Sequence, residues 1–196
     1  MITIPMRLSE KYKNLNKDKH NSEPTWGCGD GRRYTQQINK VLNNNCTVLD
    51  YGCGKGKLDI PKEYEVFRYD PCNPMYEKRP KNNYKYDSIL CIDVLEHIEP
   101  ECIDEVLEDI NGFLKRPTKI KMPTVFFVIS TRPALHKLSD GSNAHRLIKP
   151  STWWNNKLEN FFSGVVQVTD NEKVKPNECL FFANKKQKGS SKWQRI

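Results

Sequence analysis

The segment Val48-Leu49-Asp50-Tyr51-Gly52-Cys53-Gly54-Lys55-Gly56 puts an acid at the end of an apolar run, followed by glycines at three alternate positions. Alternate glycines let the backbone turn tightly with no Cβ between it and a ligand, and the acid ahead of them can pair with a cationic group held there. Asp70 ends the next strand-like run twenty residues later, where a carboxylate can take both hydroxyls of an adenosine ribose. A plain Asp70-Pro71 turn after a strand is the competing reading. Two phosphate-binding patterns fail on spacing: GxGxxG needs glycine where Lys57 stands, and a phosphate loop needs Ser or Thr where Leu58 stands.

These residues need elements to position them. Cys46–Asp50, Tyr64–Tyr69 and Asp87–Ile92 read as strands, the last apolar almost throughout, as a strand buried on both faces is. Thr124–Ile129 is the strongest strand signal, and Val165–Val168 and Cys179–Ala183 make a final pair joined by a polar turn at Asn171-Glu172. Helical spacing predicts helices over Arg33–Leu42, stopped by Asn43-Asn44-Asn45, and from Pro100 through Leu114. In the second, Ile103, Val106, Leu107, Ile110 and Leu114 form the apolar stripe, and the acids 101, 104, 105, 108 and 109 form a solvated face. A third helix, capped by Ser151, runs through Trp154, Leu158, Phe161 and Phe162. Alternating strands and helices predict an α/β fold with a mostly parallel sheet, and in such sheets ligands bind at the carboxyl ends of the strands.

Composition bounds the rest. With 196 residues, 37% apolar and 29% charged, the chain suits one domain, divided as an irregular arm or lid (1–32), a central domain (33–184) and a basic flexible tail (185–196). The net charge of +8 resides in the ends: residues 185–196 contribute +5, residues 1–20 contribute +3, and the body is neutral. Such ends offer a non-specific surface for nucleic acid, or serve only solubility. No run is long enough to span a membrane, no leader is visible, and seven scattered cysteines with no CxxC pair read as reduced thiols of a cytoplasmic protein.

The third piece is Tyr86-Asp-Ser-Ile-Leu-Cys-Ile-Asp93-Val-Leu-Glu96-His97-Ile. With it, the chain resembles class I S-adenosylmethionine-dependent methyltransferases of the group with LDxGCGxG, an acid ending the second strand, and YDxIxxxDVLEHI across the fourth. The resemblance implies a Rossmann-like sheet with a C-terminal antiparallel strand pair. By the same resemblance, Asp50, Tyr51, Gly52, Cys53, Gly54 and Gly56 would hold the methionine part of the cofactor, Asp70 its ribose, and Asp93, Val94 and Leu95 the region beside the sulfonium. Tyr86 follows Asp70 by only sixteen positions, too few for the usual helix and third strand, so the fold is shortened there. Pro71, Cys72 or Met75 are then the candidates for the adenine. Ser130–Ala134, Asp140–His145 and Trp153-Trp154 also resemble a subset from bacterial and phage genomes.

For the acceptor, His145 is the candidate base, with Arg132 and Asp140 to orient the substrate, since its loop follows the strand bordering the cofactor. His97, in the motif itself, reads as structural. No metal is expected, because His136, Asp140 and His145 lack a fourth ligand at a characteristic spacing. Trp26, with its neighbouring glycines, suggests a lid, and Trp154 reads as core. The acceptor is not identified. The amine-methylating motif of DNA enzymes is replaced by Asp93-Val-Leu-Glu96, which disfavours a nucleobase. The alternatives are a non-catalytic module that retains the glycine turn, and a nicotinamide-dependent oxidoreductase, which Lys57 and the final strand pair disfavour.

Overall fold

The computed structural model describes residues 8–29, 31–42, 46–169 and 175–186. Six strands, β1 (Thr47–Tyr51), β2 (Glu65–Tyr69), β3 (Ser88–Ile92), β4 (Thr124–Ser130), β5 (Phe162–Gln167) and β6 (Glu178–Lys185), form one sheet in the order β2-β1-β3-β4-β6-β5. The first four are parallel, β6 runs antiparallel to β4, and β5 antiparallel to β6. The predicted α/β sheet and its antiparallel ending are therefore present. The turn expected at Asn171-Glu172, the Asn43-Asn44-Asn45 stop and tail residues 187–196 lie outside the described residues.

Alternation along the strands builds two cores. Val125, Phe127 and Ile129 of β4 face α3 (Ile103–Phe113) and α4 (Ser151–Phe161), while Phe126 and Val128 face α2 (Thr35–Val41). Because β4 is buried on both sides, it contains no polar residue between Thr124 and Ser130. The apolar stripe of α3 is buried as its periodicity predicts. Asp109 is not: it departs from the solvated acidic face, is buried, and bonds Arg79 and the Tyr51 hydroxyl. That helix begins at Ile103 rather than near Pro100: Cys102 is its cap, and the residues before it form a separate turn closed by the Cys102 N–H on the Glu99 carbonyl. Pro150, not Ser151, occupies the cap of α4.

The N-terminal arm also departs from expectation. Glu10–Ser22 is a helix, α1, capped by the Ser9 hydroxyl, which accepts the Tyr12 N–H at 3.1 Å. Its sequence is polar all round, so no stripe announced it. Tertiary contacts hold it: Tyr12 packs with Leu138 and Ala144, its hydroxyl donates to the Ala144 carbonyl at 2.7 Å, and Ser9 donates to Glu99 through both its N–H and its hydroxyl.

Asp87, just ahead of β3, fastens the amino-terminal ends of the central strands. Its carboxylate accepts the Thr47 N–H (2.9 Å) and hydroxyl (3.0 Å) and pairs with Lys115 (2.7 Å) and Lys121 (3.0 Å). Burial alone would raise its pKa, but these donors outweigh burial and hold it far below the ordinary carboxylate range. A depressed pKa makes the contribution to stability complete above the unfolded value near pH 4, and lost as the pH falls toward the folded value. Asp87→Ala is thus expected to cost about 2–3 kcal/mol at pH 7. In chemical denaturation, the gap between variant and wild type should narrow at pH 3; a gap that does not vary with pH contradicts this account.

Candidate active site

The carboxyl ends of β1 to β4 open into a cavity of about 820 Å³, and α1 with the 25–29 loop forms its opposite wall. The glycine turn is pinned to the end of β2 at several points. The Tyr69 carbonyl accepts both Gly52 N–H (2.7 Å) and Cys53 N–H (3.1 Å). The Asp70 carboxylate accepts Gly54 N–H at 2.9 Å through one oxygen and Cys72 N–H at 2.8 Å through the other. Gly52 and Gly54 have φ of 73° and 54°, in the region that disfavours side chains. A Cβ on Gly52 would stand 2.4 Å from Val94, and one on Gly54 would stand 2.1 Å from the Gly27 carbonyl oxygen.

That second contact shows how closely the arm lies on the turn. Lys55 N–H donates to Gly27 O (2.7 Å), and the Lys55 ammonium donates to the Glu23 (2.7 Å) and Pro24 (2.8 Å) carbonyls. The arm and the turn are therefore clasped together. His20 of α1 sits over Gly27 within the electrostatic reach of Asp70, and its pKa is lowered chiefly by desolvation.

Two carboxylates at the cavity floor lack counter-charges that match their burial. Asp50 is 4% exposed, one of its oxygens has no hydrogen-bond partner, and burial pushes its pKa up to about 7 against the opposing pull of Arg68. Glu96 is fully buried. Ser130 N–H donates to its Oε1 at 3.0 Å, its Oε2 is without a partner, and desolvation followed by the nearby Asp93 raises its pKa well above the usual range. Asp93 adopts φ 55° at the end of β3, which turns Val94 over Gly52.

All four histidines of the chain line this cavity. Trp26 stands among them, edge-on to His20, His97 and His136 with ring centroids 6.5, 5.6 and 5.7 Å away, and His97 meets His145 edge-on at 4.7 Å. His97 Nδ1–H donates to Ala144 O (3.0 Å) and His145 Nδ1–H to Arg132 O (2.6 Å), which leaves both Nε2 lone pairs available. Desolvation lowers the pKa of each, so both imidazoles are neutral at pH 7.

Of the residues singled out for the cofactor, all but Gly56 and Leu95 line the cavity, as do Arg132 and His145. Gly56 lies against Tyr76 and Arg68, and Leu95 is buried in the core. Asp140 is a correction. Its carboxylate accepts the Ser142 N–H and hydroxyl and pairs with Lys11, which makes it the keystone of an exposed turn outside the cavity. Among the adenine candidates, Pro71 and Cys72 line the cavity and Met75 is 78% exposed outside it. Sequence reasoning missed Tyr12, Asn16 and His20, which no apolar stripe signals, and Glu96, which was legible only as part of a motif.

No protein-family model matches this chain, and no curated protein matches it. Solved structures do. The 1,6-didemethyltoxoflavin N1-methyltransferase of Burkholderia thailandensis, with its substrate and S-adenosylhomocysteine bound, superposes with a TM-score of 0.61 at 15% identity over 95% of this chain and 94% of that one. The N-methyltransferase NodS of Bradyrhizobium japonicum WM9, with S-adenosylhomocysteine, gives 0.59 at 13% identity, over 90% and 100% of the two chains. Magnesium protoporphyrin IX methyltransferase of Synechocystis PCC 6803 gives 0.58 at 14%, over 89% and 100%. The chain has the fold of class I methyltransferases. Within this methyltransferase fold, the stretch between β2 and β3 contains no strand or helix, as its shortness predicted.

Proposed function

We propose that this protein is an S-adenosylmethionine-dependent methyltransferase acting on a small acceptor held between Trp26, Arg132 and the His97–His145 pair. The observation that carries this reading is the orphaned, buried Asp50 oxygen on the floor of the cavity beside the glycine turn. A buried carboxylate oxygen without a partner fits a ligand with a cationic amino group. Bound there, S-adenosylmethionine supplies an electrophilic methyl group that needs chiefly an aligned nucleophile.

The chain's own residues then divide the work. Asp50 takes the ammonium group, Asp70 takes the ribose hydroxyls through the lone pairs that its two backbone donors leave free, and the turn from Tyr51 to Gly54, whose Gly52, Cys53 and Gly54 N–H groups are bonded to Tyr69 and Asp70, walls in the methionine part. Asp93 and Val94 border the reacting centre, and the neutral His145 presents Nε2 at the acceptor's end. The volume of about 820 Å³ lies toward the upper end of the roughly 300–1,000 Å³ of drug-sized sites, room for a cofactor and a modest acceptor together. The arm clasped over the turn favours a small acceptor over a polymer. The narrower likeness to the bacterial and phage subset belongs to the same reading.

Calorimetric titration tests it. S-adenosylmethionine and S-adenosylhomocysteine are expected to bind in the micromolar range, with NAD giving no heat. Because the ammonium pairs with ionised Asp50, whose pKa is raised to about 7 by burial, affinity should rise as the pH passes upward through 7 and fall again as the ligand's own amino group loses its proton. Binding without turnover would favour the non-catalytic module, and absence of binding at pH 8 would sink the methyltransferase reading and leave an α/β domain with no assigned ligand.

A further inference from the structure

We infer that Glu96, His97 and His145 form a binding site for a divalent first-row transition metal ion on the inner wall of the cavity. One ligand atom from each lies within 4.8 Å of the others, the one such grouping among the described residues. Two imidazoles and one carboxylate are a donor set that suits zinc and its neighbours and leaves coordination positions open.

Three independent features prepare these atoms for an ion. Each histidine gives its Nδ1–H to a backbone carbonyl, Ala144 O or Arg132 O, which fixes the tautomer and turns an unprotonated Nε2 outward, as the supporting shell of a metal site does. Glu96 Oε1 is held by Ser130 N–H, while its buried Oε2 has no partner, a position that suits a cation. The backbone around the three is locked as well: Arg146 N–H and Leu147 N–H both donate to the Glu96 carbonyl, at 2.7 and 2.9 Å, which ties the His145 loop directly to the Glu96-His97 turn.

Ligand atoms about 2.0–2.1 Å from zinc stand about 3.3 Å apart in a tetrahedron, so the ion would draw the three side chains together by rotation of their terminal torsions. His97 and His145 are only partly buried and have that freedom. The open positions face the cavity, where they suit an oxygen of the acceptor, whose proton a bound cation makes easier to lose. The acceptor's part in this rests on the methyl-transfer reading; the ion site does not.

The test is titration of the full-length, chelator-stripped protein with cobalt(II), followed by displacement with zinc. The expected result is a saturable visible absorption of low-coordinate cobalt, abolished by zinc, and weakened at least about tenfold in both Glu96→Gln and His145→Gln. His145→Gln keeps a donor for the Arg132 carbonyl, and unchanged circular dichroism shows that its fold is intact. No saturable absorption in the wild type, or equal affinity in folded His145→Gln, overturns the inference. Cobalt binding without S-adenosylmethionine binding would sink the methyltransferase reading and leave the ion site standing, and the reverse pattern would do the opposite.

Discussion

Asp70→Ala is expected to bind S-adenosylmethionine at least about a hundredfold more weakly than the wild type. In the proposed mode two ribose hydroxyls donate to this carboxylate, and hydrogen bonds to a charged group contribute about 1.5–3 kcal/mol each. The loss extends to the turn, because Gly54 N–H and Cys72 N–H both terminate on the same carboxylate. For that reason Asp70→Asn should fare little better: an amide has one acceptor oxygen, so its NH₂ would face one of those two donors. Calorimetry on both variants checks this, with melting temperature as the control for folding. An Asp70→Asn variant that binds like the wild type would show that the carboxylate is not in contact with the ligand.

Gly54→Ala should be the most damaging single-methyl change in the molecule. The left-handed backbone costs an alanine about 1–2 kcal/mol on its own. Here the new methyl also meets the Gly27 carbonyl oxygen at 2.1 Å, a backbone atom that can give way only if the arm lifts. A total of at least about 3 kcal/mol follows, or a fall in melting temperature of about 6–12 °C for a chain of this size. Gly29→Ala is the matched comparison: its φ is also 54°, but nothing lies within 4 Å of the added carbon, so only the same backbone cost of about 1–2 kcal/mol applies. Lifting of the arm should also expose Lys11, Lys13 and Lys17 of α1 to trypsin in the first variant and not in the second. Equal effects in the two would mean that the arm does not bear on the turn.

What the sequence disclosed, and what it hid, follows from range. The acid and glycines after β1 and the stripe of α3 are local patterns, written into a dozen consecutive residues each, and the structure reproduces them. Asp109 sat on a run of acids that reads as solvated, and only the fold brings Arg79 against it. Asp140 and His145 share a loop, yet the loop's internal bonds turn the first outward, while the second is turned in by Arg132. α1 was illegible because its hold on the molecule comes from Ser9 and Tyr12 meeting residues 90 and 132 positions away. Glu96 and His97 were visible, but their company was not: His145 joins them only through the backbone bonds that link its loop to the Glu96 carbonyl.

The clasp at Lys55 bears on time as well as on shape. Three hydrogen bonds, from its N–H to Gly27 and from its ammonium to Glu23 and Pro24, must break together before the arm can leave the glycine turn. A ligand seated beneath the arm would then exchange at the rate at which the arm opens, whatever its affinity. Under the proposed chemistry, entry and departure of the cofactor would then be gated by the arm, and weakening the clasp would change exchange before it changed the chemical step.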